Sequence, residues 1–506
     1  AEQIFTYSLQ YKCISTKAFL AALEFKDSKA PTFKTSQVRG MLYMSAGDFD
    51  KAEPVFEKAM TLASTNKEKG ETMMELAKIY ARAGKKSAAR TAAREAAGLD
   101  PELASSAYGL IGDLYMSAYN GVADYVFATI PLFVLMGLLV SISNVGKDTF
   151  TVAEVLLRKL QGGLGVATVA ANTVFAAVTG VSIASAAVFT RVAVPEMVKH
   201  GYRTTFATGT VAGSSVLGMM IPPSLLMIIY GVLAEQSIGK LFVAGVIPGF
   251  LLAIVFAVMI MMMARFTPGQ VFDPQHQSQL LRGRQIEVTL TGLQMVNKLV
   301  PIAALVALVL GGLYGGFFTP TEAGGVGAFG ALLIALMRRS LGKGKFWQVL
   351  HETGSVSCTI LILLVAASFY SRMLSVAGVP VAISELVRDA GLGPYGFLTL
   401  YIGIVLLLGM ILDSSSILLI MTPVAAPIAS SFGFDLIHFG VITVLAVEMG
   451  LLTPPFGISV FTVKSTLNDP SISVESIFAG CIPFLGAMLA VLVLVCAFPW
   501  LSLALI

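Results

Sequence analysis

The chain contains few of the residues from which metal centres, disulfide frameworks and charged surfaces are built. Four cysteines and four histidines are scattered over 506 residues, and no Cys-x-x-Cys spacing occurs. These spacings exclude the usual zinc motifs and a disulfide scaffold. Charged residues make up 13% of the chain and the net charge is +4, which excludes a basic surface for nucleic acid. Because a P-loop and a Ser-His-Asp pattern are also missing, we predict neither an enzyme nor a cofactor.

The low average charge hides a division of the chain into two parts. Hydrophobic residues make up 56% of the sequence, and the mean hydropathy is +0.80. Yet 30 of the first 120 residues are charged, against 34 of the remaining 386. The first part has the composition of a soluble segment and the second that of a membrane protein. We therefore predict an N-terminal helical segment at 1–34, helical repeats at 35–118 and a membrane domain at 119–506.

Tyrosines and small residues recur at a fixed distance in the soluble segment. Three pairs lie 37 positions apart: Tyr43 with Tyr80, Gly47 with Gly84, and Ala52 with Ala89. The start of a third copy follows at 114–118. The pattern resembles tetratricopeptide repeats, which stack because no single unit buries its apolar face alone. It predicts a docking surface for a peptide partner, with a plain spacer of helical hairpins as the alternative.

The membrane domain contains many apolar stretches near the twenty or so residues that cross a bilayer as a helix. They lie at 124–143, 205–235, 241–265, 296–316, 323–338, 355–375, 396–412, 437–463 and 477–505. The domain divides into a first half at 124–265, a polar loop at 266–295 and a second half at 296–506. Basic residues cluster at 338–345, and the positive-inside tendency places that loop in the cytoplasm.

The two halves of the membrane domain repeat each other at a shift of 232 residues. Four positions match without a gap: Ser182 with Ser414, Gly218 with Gly450, Pro222 with Pro454, and Pro223 with Pro455. Each half has a serine-rich break in one apolar region and a double proline in the next. Proline lacks an N–H and frees carbonyl oxygens, which are suited to Na⁺ together with hydroxyl oxygens. Paired breaks at corresponding positions predict a transport site.

Several strings in this region resemble the large membrane subunit of TRAP transporters, the tripartite ATP-independent periplasmic transporters. The strings are Thr179–Ala186, Ile221–Ser224 and Gly450–Gly457, with similar motifs at Phe318–Gly324 and Leu412-Asp413. The resemblance covers residues 115–506. The family's large subunit begins with further membrane helices ahead of the span at 124–143, and here the repeat-like segment stands in that place.

The resemblance implies an all-α polytopic transporter with inverted repeats, two re-entrant hairpins and broken helices of the elevator type. It implies Na⁺-coupled import of a small organic anion, such as a C4-dicarboxylate or sialic acid, across the bacterial inner membrane. The implied partners are a periplasmic substrate-binding protein, a small membrane subunit of four helices and membrane lipid. Two alternatives stay open: a membrane-anchored repeat adaptor with an inactive transporter part, and an ion-coupled carrier from another elevator family.

The resemblance also implies where the ligands bind. Na⁺ is expected where each hairpin tip meets a helix break: Gly180, Ser182, Ser185, Gly218 and Pro222 in the first half, and Asp413, Ser414, Gly450, Thr453 and Pro454 in the second. Substrate is expected between the halves: Ser182, Ser224, Ser415, Ser416, Thr453 and Arg191.

Individual charged residues leave alternatives open, because ionisable groups in spans usually have a function. Asp413 either shapes the ion site or makes a structural pairing. Arg191 either attracts a carboxylate or lies at the interface. Glu448 stands two residues before Gly450, and a structural role is favoured there over a site role. Glu322 follows Thr-Pro-Thr and is predicted to cap a helix. Arg372 is predicted to be an interfacial anchor.

Overall fold

The computed structural model describes residues 32–45, 48–83, 85–109, 125–273 and 290–506, which fall into two units at 1–123 and 124–506. The division lies close to the boundary expected at 119. Residues 1–31, Gly47, Gly84, the third repeat copy at 114–118 and most of the polar loop at 266–295 lie outside the described residues.

The described part of the first unit is a series of short helices in which each packs on the next. The helices are α1 (Phe33–Ser45), α2 (Phe49–Leu62), α3 (Asn66–Arg82) and α4 (Lys86–Leu99). Ala52 and Ala89 are fully buried, as the repeat pattern predicts for close helix contacts. A Cβ atom added to Gly40 would lie 2.6 Å from the Phe56 ring. Small residues therefore let neighbouring helices approach closely, and larger side chains fill the space between them.

The second unit is built from helices throughout its described ranges. They are α5 (Thr129–Ile142), α6 (Val145–Leu157), α7 (Gly163–Thr179), α8 (Ser182–Lys199), α9 (Thr204–Ser215), α10 (Leu225–Leu233), α11 (Ile238–Phe266), α12 (Gly292–Val306), α13 (Pro320–Met337), α14 (Lys343–Val376), α15 (Val379–Asp389), α16 (Pro394–Gly409), α17 (Ser414–Ser431), α18 (Leu436–Gly450), α19 (Ile458–Leu467) and α20 (Val474–Ala497). Shorter helical turns, such as Leu217–Met220, connect some of them.

Among the described residues, seven helices are long and apolar enough to cross a membrane, or nine if each of two bent pairs is one span. One bent pair is Thr204–Met220 with Leu225–Leu233, at an angle of 43°. Its bend falls within the apolar stretch predicted at 205–235, next to the first double proline. The stretch predicted at 355–375 belongs to α14, a longer helix of 34 residues.

The internal repeat is present in the helices themselves. α8 and α17 begin at residues 182 and 414, and α9 and α18 begin at residues 204 and 436, so both pairs keep the shift of 232. The chain folds back between α7 and α8 and again between α16 and α17, and these two pairs are called hairpin 1 and hairpin 2 below. The predicted fold class, an all-α polytopic membrane protein with two hairpins and two broken helices, is confirmed.

The predicted cap at Glu322 is also present. The Thr319 N–H donates to Glu322 Oε2 at 2.8 Å, and the Glu322 N–H donates to Thr319 Oγ1 at 3.3 Å. This reciprocal pair is a capping box, which satisfies the free N–H groups at the start of α13. The Arg372 side chain lies outside the described part of the structure, so its anchoring role stays a prediction.

Candidate functional site

The tip of hairpin 1 rests directly on the first helix break. α7 ends at Thr179, and the next residue, Gly180, has a φ of 61° in the left-handed region. The Leu225 N–H donates to the Gly180 carbonyl at 3.2 Å. A Cβ atom on Gly180 would lie 2.5 Å from the Pro223 carbonyl oxygen, and one on Gly218 would lie 3.2 Å from Ser182 Cα. Backbone therefore meets backbone here, and glycine is required at the contact.

The first break is buried and leaves backbone acceptors at the same place. Pro222 and Pro223 have no N–H, so they cannot donate to the carbonyls of Gly218 and Met219 four residues earlier. The residues from Ile221 to Ser224 are all buried. The chain resumes helix at α10, where the Met227 N–H donates to Ser224 Oγ at 3.3 Å. Ser224, a predicted substrate ligand, thus also caps a helix.

The tip of hairpin 2 meets the second break in a similar way. A Cβ atom on Gly409 would lie 2.6 Å from Gly450 Cα, and the Phe456 N–H donates to the Met410 carbonyl at 3.3 Å. Thr453 is half-buried and its hydroxyl donates to the Met449 carbonyl at 2.9 Å. Pro454 and Pro455 are exposed. The second break is therefore more open than the first, although the sequence makes them equivalent.

Asp413 makes the structural pairing that the sequence leaves open. Its Oδ2 accepts from the backbone N–H groups of Ser415 at 3.0 Å and Ser416 at 3.2 Å, and the Ser416 hydroxyl donates to its Oδ1. Asp413 is exposed, Ser414 is buried, and Ser415 and Ser416 are half-buried. The carboxylate caps α17, so it holds the start of that helix at the hairpin tip. Its role in ion binding stays a prediction.

A buried contact between the halves involves Glu448, which was left out of the predicted ligand set. The Ser182 hydroxyl donates to Glu448 Oε2 at 2.6 Å, and both residues are fully buried. Glu448 Oε1 accepts no hydrogen bond from any described residue, and the Ser185 hydroxyl likewise has no partner there. A buried carboxylate with an unpaired oxygen is costly unless a cation or further donors compensate it.

Glu448 has no equivalent in the first half of the membrane domain, so the sequence favours a structural role for it over a site role. At the shift of 232 its counterpart is Val216, so the internal repeat gives no hint of it. The available signal was a lone carboxylate inside an otherwise apolar helix. The contact of Ser182 with Glu448 means that the tip of hairpin 1 is built from both halves. A second contact joins the halves at the other end of α18, where the Tyr230 hydroxyl donates to the Leu436 carbonyl at 2.7 Å.

Arg191 is not brought to the hairpin tip. It is exposed on α8, and nine residues of helix separate it from Ser182 by about 14 Å. Of the residues predicted to bind substrate, Ser182 and Ser224 lie together at the first break, and Ser415 and Ser416 lie in the first turn of α17. The positive end of α8 therefore lies at the tip of hairpin 1 and favours a negative ligand, whereas the positive end of α17 is already capped by the Asp413 carboxylate.

Comparison with known proteins gives the family. The family described as the tripartite ATP-independent periplasmic transporter, DctM component, matches residues 103–501, and a tetratricopeptide repeat matches residues 34–66. Among solved structures, the YdaH transporter of Alcanivorax borkumensis matches with a TM-score of 0.50 at 13% identity, over 78% of this chain and 90% of that chain. At that identity the likeness bears on the fold alone.

Curated relatives are more similar in sequence. The C4-dicarboxylate TRAP transporter large permease protein of Pseudomonas aeruginosa is 33% identical over 396 residues, which are 78% of this chain and 89% of that protein. The sialic acid TRAP transporter large permease protein of Vibrio cholerae is 29% identical, over 76% of this chain and 87% of that protein. Because the family match spans most of the chain, this protein belongs to the DctM family of tripartite ATP-independent periplasmic transporters.

Proposed function

We propose that this protein imports a small organic anion across the bacterial inner membrane, coupled to Na⁺. The observation that carries the proposal is the buried Glu448 carboxylate, which contacts Ser182 at the tip of hairpin 1 and keeps one oxygen without a partner among the described residues. Hydroxyl, carbonyl and carboxylate oxygens are hard donors, and unwound backbone near helix ends coordinates Na⁺ in other transporters. The residues present therefore fit the ion.

The first ion site is formed by side chains and backbone from both halves. Ser182, Ser185 and Glu448 supply side-chain oxygens, and Gly180 and Gly218 supply backbone at the same contact. Bound Na⁺ supplies a positive charge that compensates Glu448. Because Ser182 belongs to hairpin 1 and Glu448 to the second half, an ion held by both stabilises the seated position of the hairpin.

A second ion site is proposed at hairpin 2. Asp413, Ser414, Gly450, Thr453 and Pro454 surround its contact with the second break. This region is more exposed than the first, so we expect weaker ion binding there in the absence of substrate. If bound substrate strengthens Na⁺ binding at this site, bound Na⁺ strengthens substrate binding by the same factor. We therefore expect substrate to bind weakly in the absence of Na⁺.

The proposed substrate is a carboxylate or a related small anion. α8 begins at the tip of hairpin 1, where the helix dipole and free N–H groups favour negative charge. At the tip of hairpin 2 the Asp413 carboxylate already accepts from the first N–H groups of α17. The hydroxyls of Ser224 and Ser415 supply hydrogen bonds to the substrate, and those of Ser416 and Thr453 do so once they release Asp413 Oδ1 and the Met449 carbonyl. Relatives are named for C4-dicarboxylate, sialic acid, isethionate and ectoine. The first three are small organic anions, which supports that class without choosing a member.

The proposed partners are a periplasmic binding protein that delivers the anion and a small membrane subunit. Two related permeases are much longer, since the chain covers 57% of an isethionate permease and 58% of a sialic acid permease. The additional length of these two relatives leaves room for a second membrane subunit fused into the same chain, which supports a separate small subunit as a partner here. We propose an elevator movement, in which the two hairpins and the two broken helices cross the membrane together while the other helices stay in place.

The test is uptake by the reconstituted system. The full chain is placed in vesicles with a candidate periplasmic binding protein and a candidate small membrane subunit from the same organism, and labelled succinate or sialic acid is supplied. We expect uptake of one anion to be stimulated at least tenfold by an inward Na⁺ gradient over an equal K⁺ gradient. Equal uptake under the two gradients would contradict Na⁺ coupling. No uptake of any small anion, with all three components folded, would contradict the transport function.

A further inference from the structure

Three ligand-bearing side chains meet away from both hairpin tips, where the end of α8 packs beside α6. Glu154 lies in the last turn of α6, Glu196 in the last turn of α8, and His200 directly after α8. One oxygen or nitrogen atom from each lies within 4.8 Å of those from the other two. Because 42 residues separate Glu154 from Glu196, no short sequence motif predicts this cluster.

Glu154 is the most buried member of the cluster. The residue is 9% exposed, and the structure shows no hydrogen bond to its carboxylate among the described residues, although its oxygens reach solvent. The second carboxylate, Glu196, is paired with Lys199 at 3.2 Å. The Lys199 side chain is 66% exposed, so it can return to solvent at little cost. Two neighbouring carboxylates, one of them largely buried, favour a bound cation.

His200 has Nε2 available as a metal ligand. Its Nδ1 lies 2.8 Å from the Glu196 backbone carbonyl and 3.4 Å from Glu196 Oε1. A carbonyl oxygen only accepts, so Nδ1 carries the proton and donates it. The lone pair is then on Nε2, which is the arrangement that second-shell hydrogen bonds produce in metal-binding histidines.

We propose that Glu154, Glu196 and His200 form a site for a divalent transition metal, with Zn²⁺ as the representative ion. Two carboxylates and one imidazole are a common ligand set for Zn²⁺, with a water molecule completing the tetrahedron. Metal–ligand bonds of about 2.0–2.1 Å place ligand atoms about 3.4 Å apart, so ligand atoms that lie within 4.8 Å of one another approach by up to about 1.4 Å.

The site would link α6 to the second arm of hairpin 1. A metal bound there joins the base of the hairpin to a helix outside it, so we expect Zn²⁺ to slow any movement of hairpin 1 relative to α6. This consequence rests on the proposed transport function, whereas metal binding itself does not. Metal binding and transport can therefore be tested independently, because binding is measured on the purified chain without substrate or a Na⁺ gradient.

The test is a calorimetric titration, in which Zn²⁺ alone is added to the purified full chain in detergent. We expect one ion per chain, and a loss of affinity of at least tenfold in Glu154→Gln and in His200→Asn, as is typical when a ligand or its support is removed. His351→Asn is the matched control, because His351 is exposed on α14, and it should bind as the unmodified protein does.

Two further measurements keep the result decisive. Zn²⁺ should raise the unfolding temperature of the unmodified protein, and a chelator should reverse the shift. If Glu154→Gln does not fold, Glu196→Gln and His200→Asn decide the question. Absence of saturable binding in the unmodified chain overturns the proposal, and so does unchanged affinity in every folded variant.

Discussion

At the scale of single residues, the candidate site depends on a carboxylate that has no counterpart in the other half. Glu448 lies on an apolar helix and accepts a hydrogen bond from the Ser182 hydroxyl, 266 positions away in the chain. Substituting glutamine retains an acceptor for that hydroxyl and removes the charge. The two properties of Glu448, its hydrogen bond and its charge, can therefore be separated by experiment.

We expect Glu448→Gln to raise the Na⁺ concentration for half-maximal uptake at least tenfold, which corresponds to about 1.4 kcal/mol. The amount of folded protein should change little, because the hydrogen bond to Ser182 is kept. Glu475→Gln is the control, since Glu475 is exposed in the first turn of α20. The measurement is the Na⁺ dependence of uptake in vesicles. An unaltered Na⁺ requirement in Glu448→Gln would show that the carboxylate does not serve the ion.

Removing the hydroxyls at the tips tests the predicted ligands themselves. Ser182→Ala and Ser414→Ala should weaken Na⁺ stimulation of uptake more than they lower protein abundance. In Ser182→Ala, Glu448 also loses its one hydrogen-bond donor among the described residues. Ser355→Ala, on an exposed position of α14, is the control and should behave as the unmodified protein. Normal Na⁺ stimulation in both tip variants would remove the assignment of these serines.

At the scale of helices, the hairpin tips are held by backbone contacts. Gly180 combines a left-handed φ with a position where a Cβ atom would meet the Pro223 carbonyl at 2.5 Å. Both the positive φ and the short distance to the Pro223 carbonyl disfavour any residue that carries a Cβ atom. The hairpin and the broken helix therefore form one packed element, and the fit between them is set by backbone geometry.

We expect Gly180→Ala to lower the free energy of unfolding by about 2–3 kcal/mol, since both the φ angle and the clash oppose the methyl group. Gly486→Ala is the matched control. A Cβ atom at Gly486 meets nothing within 4 Å, and alanine favours a helix interior, so no loss is expected there. Thermal unfolding in detergent compares the two. Equal stability of both variants would contradict a tight seat for hairpin 1.

An ion triad joins α6 to α12 and α13. Asp148 accepts from both Lys298 and Arg338, and the three side chains are 15%, 33% and 21% exposed. Arg338 belongs to the basic cluster predicted to face the cytoplasm, and the structure uses it in this contact. Removing the shared anion leaves two cations facing each other in a partly buried place.

We expect Asp148→Asn to lower the free energy of unfolding by about 1–3 kcal/mol, between the values for exposed and buried pairs. Asp389→Asn is the control, because Asp389 is exposed at the end of α15. Chemical or thermal unfolding in detergent measures the difference. The effect of Asp148→Asn should fall as salt is raised, and a loss that ignores salt would indicate a packing defect instead.

At the scale of the whole molecule, the chain has two units of different composition. The first unit has its own buried residues and the second has a continuous apolar core. Deleting residues 1–110 should therefore leave Na⁺-stimulated uptake while abolishing capture of any peptide partner of the repeats. Uptake in vesicles and partner pull-down from the native host measure the two outcomes. If the full chain captures a partner but never transports, the adaptor alternative is correct.

The sequence by itself determined the features that follow from local covalent chemistry. Apolar length predicted the membrane helices. Pro222 and Pro454 predicted the helix breaks because proline lacks an N–H. The shift of 232 predicted the paired hairpins, and Thr319 with Glu322 predicted a cap. Each of these depends on residues close together in the chain or repeated at a fixed distance.

Only the tertiary structure decided which distant polar groups meet. The contact of Glu448 with Ser182, the ion triad at Asp148 and the cluster around Glu154 all join helices far apart in sequence. The same packing leaves Arg191 exposed and away from the hairpin tip. Such contacts depend on how each helix is rotated and where it crosses its neighbours, and neither apolar length nor the repeat shift specifies those angles.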